Sequence, residues 1–126
     1  DILDILAAAT TLAAIYIEYK SDEQLVSFLK SGPGKGRFLI SGLWKYSRHP
    51  NYFGEFLVWW GIFLITLSTP DSWWTIISPV IITAVLLKMT GISLTEKALV
   101  EKRPGYSDYI KRTSAFFPWR PAKEGI

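Results

Sequence analysis

The chain has 126 residues, enough for one domain, and 49% of them are hydrophobic, gathered in long runs that favour a membrane protein over a soluble one. It has no cysteine and one histidine, which excludes disulfides, thiolate nucleophiles and metal sites built from Cys or several His. The net charge of +3 fits a membrane protein with basic loops better than a nucleic-acid binder. The chain begins with Asp and has no basic segment before its first apolar run, so we expect a piece of a longer protein without a signal peptide.

The apolar runs predict a single all-α membrane domain over residues 1–126, a helical bundle with about three transmembrane helices and additional interfacial helices. The predicted segments are a span over 1–19, a cytoplasmic loop over 20–51, spans over 52–69 and 73–92, and a cytoplasmic tail over 93–126. The segment from 20 to 48 holds six Lys or Arg and the tail after residue 92 holds seven, whereas the turn 69–72 holds none. The positive-inside rule therefore places loop and tail together on the cytoplasmic side.

Within the loop, Ser21-Asp-Glu-Gln24 matches a capping box and predicts a short amphipathic helix over 22–30, lying at the membrane with Leu25, Phe28 and Leu29 on one face. The Gly-rich stretch 31–36 matches neither a P-loop nor a dinucleotide fingerprint, since the spacings differ and no strand precedes it. We expect a flexible loop there, with Lys35 and Arg37 as possible phosphate ligands.

In the tail, the polar helix that follows the third span ends at Arg103-Pro-Gly105, and a further short helix is predicted over 106–112. The aromatic run Phe116-Phe-Pro-Trp119 is typical of an anchor at the membrane interface.

The stretch Gly42-Leu-Trp-Lys-Tyr-Ser-Arg-His-Pro-Asn-Tyr-Phe-Gly-Glu55 is the densest run of polar, aromatic and ionisable groups. Pro50 suits the first position of a helix, with His49 or Ser47 just outside it. Asn51 and Glu55 are four residues apart and share a face of that helix. A carboxylate one turn inside a membrane helix needs a partner, a proton or a wet cavity, so we expect Glu55 and Arg48 to face a common chamber open to the cytoplasm.

The predicted topology gathers many polar groups at this cytoplasmic mouth. The candidates are Asp22, Gln24, Lys35, Arg37, Tyr46, Arg48, His49, Asn51, Tyr52, Glu55, Glu96, Arg103, Tyr106 and Tyr109. Arg pairs with phosphate, Asn and carboxylates bind amides or ribose hydroxyls, and Tyr stacks or donates, so the mixture suits a nucleotide-like ligand. Plainer roles remain open: Arg48 as a lipid-headgroup ligand, His49 as a helix cap, and Tyr52 as an ordinary membrane aromatic.

The run 42–55 resembles the C-terminal domain of the steroid 5-alpha-reductase family, and is most similar to a bacterial branch of uncharacterised membrane proteins. Gly91-Ile-Ser-Leu-Thr-Glu-Lys97, Arg103-Pro-Gly-Tyr-Ser-Asp-Tyr109 and Phe116-Phe-Pro-Trp119 extend the resemblance. A shorter His-Pro-x-Tyr pattern is shared with sterol reductases and isoprenylcysteine carboxyl methyltransferases.

The resemblance implies a helical membrane enzyme, in a bacterial inner membrane or the endoplasmic reticulum, that binds NADPH on its cytoplasmic side. It implies reduction of an activated carbon–carbon double bond in a steroid- or lipid-like substrate. By position, the cofactor pocket would be lined by Asp22, Arg37, Arg48, His49, Asn51, Tyr52, Glu55, Tyr106 and Tyr109. We expect Arg48 at a phosphate, and Asn51 with Glu55 at the ribose or nicotinamide. The family's proton donors and substrate ligands lie largely on N-terminal helices that this chain does not contain.

Two alternatives stay open at this point. The shared His-Pro pattern also allows an S-adenosylmethionine-dependent membrane methyltransferase, and the missing N-terminal helices allow a non-catalytic membrane scaffold. Whichever holds, we expect membrane lipid and a lipophilic small molecule as partners, and neither nucleic acid nor a bound metal.

Overall fold

The computed structural model describes residues 1–32, 38–89 and 92–122, and these ranges form helices and connecting segments without a β-strand. Their five α-helices are α1 (Ile2–Lys30), α2 (Pro50–Thr66), α3 (Ile77–Ala84), α4 (Ile92–Lys102) and α5 (Tyr106–Arg112). Two 3₁₀ turns, Gly42–Lys45 and Trp73–Ile76, precede α2 and α3, and a π-helical stretch, Val85–Met89, follows α3. The expected all-α fold is confirmed for this part of the chain.

Helix α1 is one continuous helix of 29 residues, where the sequence predicted a span followed by a separate interfacial helix. The prediction of a capping box at Ser21 was wrong. Ser21 is fully buried, and its hydroxyl donates back to the carbonyls of Ile17 (2.7 Å) and Glu18 (3.1 Å). The side chain of Gln24 instead accepts the backbone N–H of Leu43 at 3.0 Å. Nothing in this stretch breaks a helix, since it contains neither Gly nor Pro.

Small residues let α1 and α2 pack closely as an antiparallel pair. On α1, every seventh residue of the inner face is small and buried, at Ala7, Ala14 and Ser21. On α2, a Cβ added to Gly54 would come within 2.8 Å of the backbone nitrogen of Glu18, and one added to Gly61 would collide with the hydroxyl of Thr11. Small residues at such crossings let two helix backbones approach, which is how helices associate in membranes.

Of the three predicted spans, α1 alone is long and apolar enough to cross a bilayer, among the residues that the structure describes. Its apolar surface faces mostly outward, since 11% of the residues in its most apolar 18-residue stretch are buried. The segment Trp73–Lys88 is apolar but shorter, and it passes from 3₁₀ to α to π geometry instead of forming the uniform helix expected over 73–92.

The predicted turn between α2 and α3 is present. The Ser72 hydroxyl donates to the carbonyls of Thr66 (2.5 Å) and Thr69 (2.7 Å), and the Trp60 indole N–H of α2 donates to the Thr83 hydroxyl of α3 at 3.1 Å. These bonds hold α2 and α3 together as a helical hairpin.

The end of the chain folds back over the segment that precedes α2. Helix α5 covers the residues predicted for it, and it begins after Gly105, whose φ of 85° favours glycine. Residues 113–122, which we call the tail segment, then run beside residues 46–48. The candidate site lies at the start of α2. The tail segment and helices α1, α4 and α5 surround it there.

Candidate functional site

An ion-pair network occupies the start of α2. The guanidinium of Arg48 donates through Nη1 to the Glu96 carboxylate of α4 and through Nε to the carbonyl of Thr113 at 2.9 Å. The same carboxylate oxygen lies 2.9 Å from Nε2 of His49. An ionised carboxylate oxygen has two lone pairs, so the same Glu96 oxygen can accept hydrogen bonds from Arg48 and from His49 at once. Arg48, His49 and Glu96 are 9%, 3% and 16% exposed in their side chains, so the network is largely withdrawn from water.

The local sequence explains why these two side chains point at α4. Pro50 is the first residue of α2, as predicted, and His49 is the residue just outside it. The Ser47 hydroxyl accepts the backbone N–H of His49 at 3.1 Å, and the Arg48 N–H donates to the carbonyl of Ser114 at 2.8 Å. The backbone before α2 is therefore held from both sides.

Tyr52 continues the site along α2. Its ring stacks on His49 with centroids 5.4 Å apart and planes within 9°, and its hydroxyl lies 3.4 Å from that of Thr95 on α4. The stacked pair presents a flat face that suits another planar ring.

Two tyrosines of α5 form the facing wall. Tyr109 donates from its hydroxyl to the carbonyls of Trp44 and Ser47, the latter at 3.3 Å, and both Tyr106 and Tyr109 contact the ring of Phe38. Each tyrosine is 3% exposed. Burial raises the pKa of Tyr106 to about 12 and raises that of Tyr109 as well, so both hydroxyls stay protonated further into the alkaline range than an exposed tyrosine does.

These groups enclose a cavity of about 290 Å³. Its polar or aromatic lining consists of Phe38, Trp44, Arg48, His49, Asn51, Tyr52, Thr95, Arg103, Tyr106 and Tyr109. An apolar wall is added by Leu25, Phe28 and Leu29 near the C-terminal end of α1 and by Leu39 and Leu99. The result is a pocket with a polar end and an apolar flank.

One buried polar atom of this lining lacks a partner. The side-chain oxygen of Asn51 is buried and accepts no hydrogen bond from any described residue. A buried acceptor left unpaired costs about 1–3 kcal/mol, so a donor supplied by a ligand would recover that energy. A ligand that carries such a donor on a flat ring would also suit the stacked His49–Tyr52 face. Within the described residues no group of three or more His, Cys, Asp or Glu could hold a metal ion.

The structure brings six of the nine predicted pocket residues to this cavity: Arg48, His49, Asn51, Tyr52, Tyr106 and Tyr109. Arg37 lies outside the described residues, as does Lys35. Asp22 lines a shallow groove on the outer face of α1, and Glu55 lies toward Glu18 on α1. The cavity lining therefore contains Arg48 without Glu55, because Gly54 turns that part of α2 against α1.

The arrangement also changes the expected role of two residues. Arg48, expected at a phosphate, uses two of its nitrogens on Glu96 and the Thr113 carbonyl, which leaves Arg103 as the cavity's less engaged cation. Glu96 was one of many polar candidates in the sequence and proves to be the centre of the network. Its pairing with Arg48 spans 48 residues, and no local pattern reports such a contact.

Comparisons with known proteins give a family and one distant relative. An uncharacterised protein of Schizosaccharomyces pombe is 37% identical over 87 residues, which is 68% of this chain and 24% of the relative. The aligned part is thus about a quarter of that protein's length. No solved structure matches the chain. The model of DUF1295, a family described as proteins of unknown function, matches residues 1–113, so the chain belongs to DUF1295.

Proposed function

We propose that this chain is the cofactor-binding part of a membrane-embedded, NADPH-dependent reductase that acts on an activated carbon–carbon double bond of a steroid- or lipid-like substrate. The proposal places DUF1295 beside the steroid 5-alpha-reductase family, which residues 42–55 resemble. The observation that carries it is the single cavity lined by Arg48, His49, Asn51, Tyr52, Tyr106 and Tyr109.

The cavity suits one end of the cofactor. Ligand pockets commonly measure about 300–1,000 Å³, so a cavity of 290 Å³ is at the small limit of that range and suits only the nicotinamide end, with the remainder of the dinucleotide outside. The unpaired Asn51 oxygen would accept an N–H of the carboxamide, and the Tyr52–His49 face would offer the ring a stacking surface. Arg103 at the cavity lining is the cation that meets a phosphate.

When bound, NADPH supplies a hydride to the electron-poor carbon of a double bond conjugated to a carbonyl, and a proton completes the reduction. The Tyr106 hydroxyl borders the same cavity and, like any tyrosine hydroxyl at neutral pH, is protonated and can donate a hydrogen bond. Leu25, Phe28 and Leu29 give the same space an apolar flank against which a lipid-like substrate can pack.

The proposal includes the three-span arrangement with the cavity on the cytoplasmic side. Helices α2 and α3 form a hairpin whose connecting turn carries no Lys or Arg, whereas basic residues crowd the opposite end. That asymmetry follows the positive-inside rule.

Ligand titration tests the proposal. Intact protein in detergent is titrated with NADPH and, separately, with S-adenosylmethionine, and binding is followed by calorimetry. We expect NADPH to bind, and Arg103→Ala to weaken it by about tenfold or more through loss of a charge-assisted contact. The matched control is Arg120→Ala, an exposed arginine outside the cavity lining, which should bind NADPH like the wild type.

Binding of S-adenosylmethionine alone would replace the reductase with the methyltransferase alternative. Binding of neither cofactor would favour a scaffold.

A further inference from the structure

A second surface, which shares no lining residue with the cavity, lies beside the backbone that precedes α2. It consists of Lys45, Tyr46, Phe117, Trp119 and Arg120, which we call the tail face. All three aromatic side chains of the tail face are exposed, with Trp119 at 70%, Phe117 at 59% and Tyr46 at 42%. Tyr46, Trp119 and Arg120 line one shallow depression, and the Lys45 ammonium lies 5.7 Å from the centre of the Tyr46 ring. Exposed aromatics beside cations are what membrane headgroup regions attract.

The tail face is hydrogen-bonded to the backbone that carries the ion-pair network. The backbone N–H of Trp119 donates to the carbonyl of Tyr46 at 3.0 Å, and the Ser47 hydroxyl donates to the carbonyl of Phe116 at 2.8 Å. Arg48 is bound twice by the same segment, through its own N–H to Ser114 and through Nε to the Thr113 carbonyl. Whatever holds the tail segment in place therefore also holds Arg48.

Phe116 anchors this segment from the inside. It is 5% exposed and packs edge-on against Phe53 and Phe56 of α2, with ring centroids 5.5 and 5.1 Å away. Phe117 also borders Phe53 and Phe56, at 5.4 and 5.7 Å between ring centroids, but it stays 59% exposed, and Trp119 is exposed at 70%.

Charge selects the partner of the tail face. No Asp or Glu occurs between residues 38 and 54 or between 113 and 122, so the surface is basic without internal neutralisation. The other end of α2 differs, since the exposed Trp73 and Trp74 follow Asp71 and have no basic neighbour in the turn. Helix α2 has 17 residues, about 26 Å at 1.5 Å per residue, so the two aromatic groups are separated by nearly the thickness of a bilayer core.

We propose that the tail face binds the headgroups of anionic phospholipids at the cytoplasmic membrane surface, and that this contact holds the tail segment against Arg48. The inference goes beyond cofactor binding and does not depend on it; it depends on the membrane arrangement alone. Lys45 and Arg120 supply the attraction to the anionic surface, and Trp119 and Phe117 place the segment at headgroup depth. The order of Arg48, which lines the cavity, then depends on the lipid that the tail face contacts.

Hydrogen exchange in defined bilayers tests this inference. Intact protein is reconstituted in phosphatidylcholine vesicles with or without phosphatidylglycerol, and deuterium uptake is followed in peptides that cover residues 45–48 and 114–120. We expect uptake in both to slow by about fivefold or more with the anionic lipid, since each basic residue near such a surface contributes about 1 kcal/mol. Arg120→Gln, an exposed and fold-neutral change, should remove most of that lipid dependence, and Trp119→Ala should do the same.

Trp73→Ala is the matched control, because Trp73 is as exposed as Trp119 and lies at the end of α2 that lacks basic residues. It should leave the lipid dependence unchanged. Equal uptake in both bilayers would overturn the proposal, as would an Arg120→Gln protein that responds to lipid like the wild type. Full protection in phosphatidylcholine alone, as if another protein surface covered the tail face, would also overturn it. Each readout is independent of NADPH, so failure here leaves the cofactor proposal standing, and the reverse also holds.

Discussion

Glu96 is the residue whose removal should disturb the site most, because one carboxylate oxygen holds both Arg48 and His49. Taking one partner from a buried ion pair costs about 3–5 kcal/mol, since it leaves a charge without compensation. Here the Glu96 side chain is 16% exposed and Arg48 keeps its bond to the Thr113 carbonyl. We therefore expect Glu96→Leu to lower the free energy of unfolding by about 3 kcal/mol, at the lower end of that range.

A graded series separates charge from shape. Glu96→Gln retains an acceptor and loses the charge, so we expect a cost of about 1–2 kcal/mol, the difference between a charged and a neutral hydrogen bond. Glu101→Gln is the control on the same helix; Glu101 is exposed and makes no described ion pair, so it should stay within about 0.5 kcal/mol of the wild type. Denaturant titration in detergent gives the free energies.

A double-mutant cycle tests whether Arg48 and Glu96 stabilise the folded state as an interacting pair. Arg48→Met alone and Glu96→Leu alone each leave a buried group unpaired, whereas the double variant removes both charges. We expect the double variant to be more stable than the sum of the single costs predicts, by about 2 kcal/mol. Costs that simply add would refute the reasoning, because they would mean that the two side chains act independently.

Two further predictions address packing and ionisation. Gly54→Leu should cost more than about 3 kcal/mol in denaturant titration, because even a Cβ would lie 2.8 Å from the backbone nitrogen of Glu18; a variant as stable as the wild type would contradict the close crossing of α1 and α2. The raised pKa of Tyr106, about 12, and of Tyr109 stabilises the folded state below about pH 10, and this stabilisation is lost as the pH rises through about 12, because the unfolded chain releases protons that the folded chain retains. Tyrosinate absorbance in an alkaline titration should show a late-titrating class that Tyr106→Phe and Tyr109→Phe each reduce, and titration of all tyrosines in one step near pH 10 would contradict it.

Local sequence rules anticipated much of the element order. Pro50 at the first position of α2, Gly105 before α5 and the turn ending at Ser72 all form as predicted, because each depends on the backbone preferences of one or two residues. The break expected at Ser21 fails for a related reason. A serine followed by acidic residues is compatible with a cap and with a helix interior, and burial against α2 decides between them.

The site was less accessible from the sequence than the helices. Six residues of the pocket were placed through the resemblance of residues 42–55 and 103–109, where motif positions carry over one by one. Asn51 and Glu55 share one face of α2, but that face is wide. Because Gly54 packs against α1, Asn51 borders the cavity and Glu55 lies toward α1 instead. The role of Glu96 depends on the path of α4 beside α2, which side-chain packing determines and which periodicity does not encode.

The apolar wall of the cavity was likewise predicted only in part from the sequence. Leu25, Phe28 and Leu29 were correctly placed on one helical face, but a free interfacial helix would have directed that face to lipid. Because α1 continues without a break to residue 30, the face is instead directed over the start of α2. Because α1 is continuous, a surface that was predicted to face the membrane lines part of the cavity instead.

The most direct test of the central claim is a density map of the intact protein with NADPH. We expect density for the nicotinamide end in the cavity bordered by Asn51, Tyr52 and Tyr106, with the Arg48–Glu96 pair intact beside it. Ligand density in the groove beside Asp22, or an Asn51 side chain that turns to a protein partner while NADPH binds elsewhere, would contradict it.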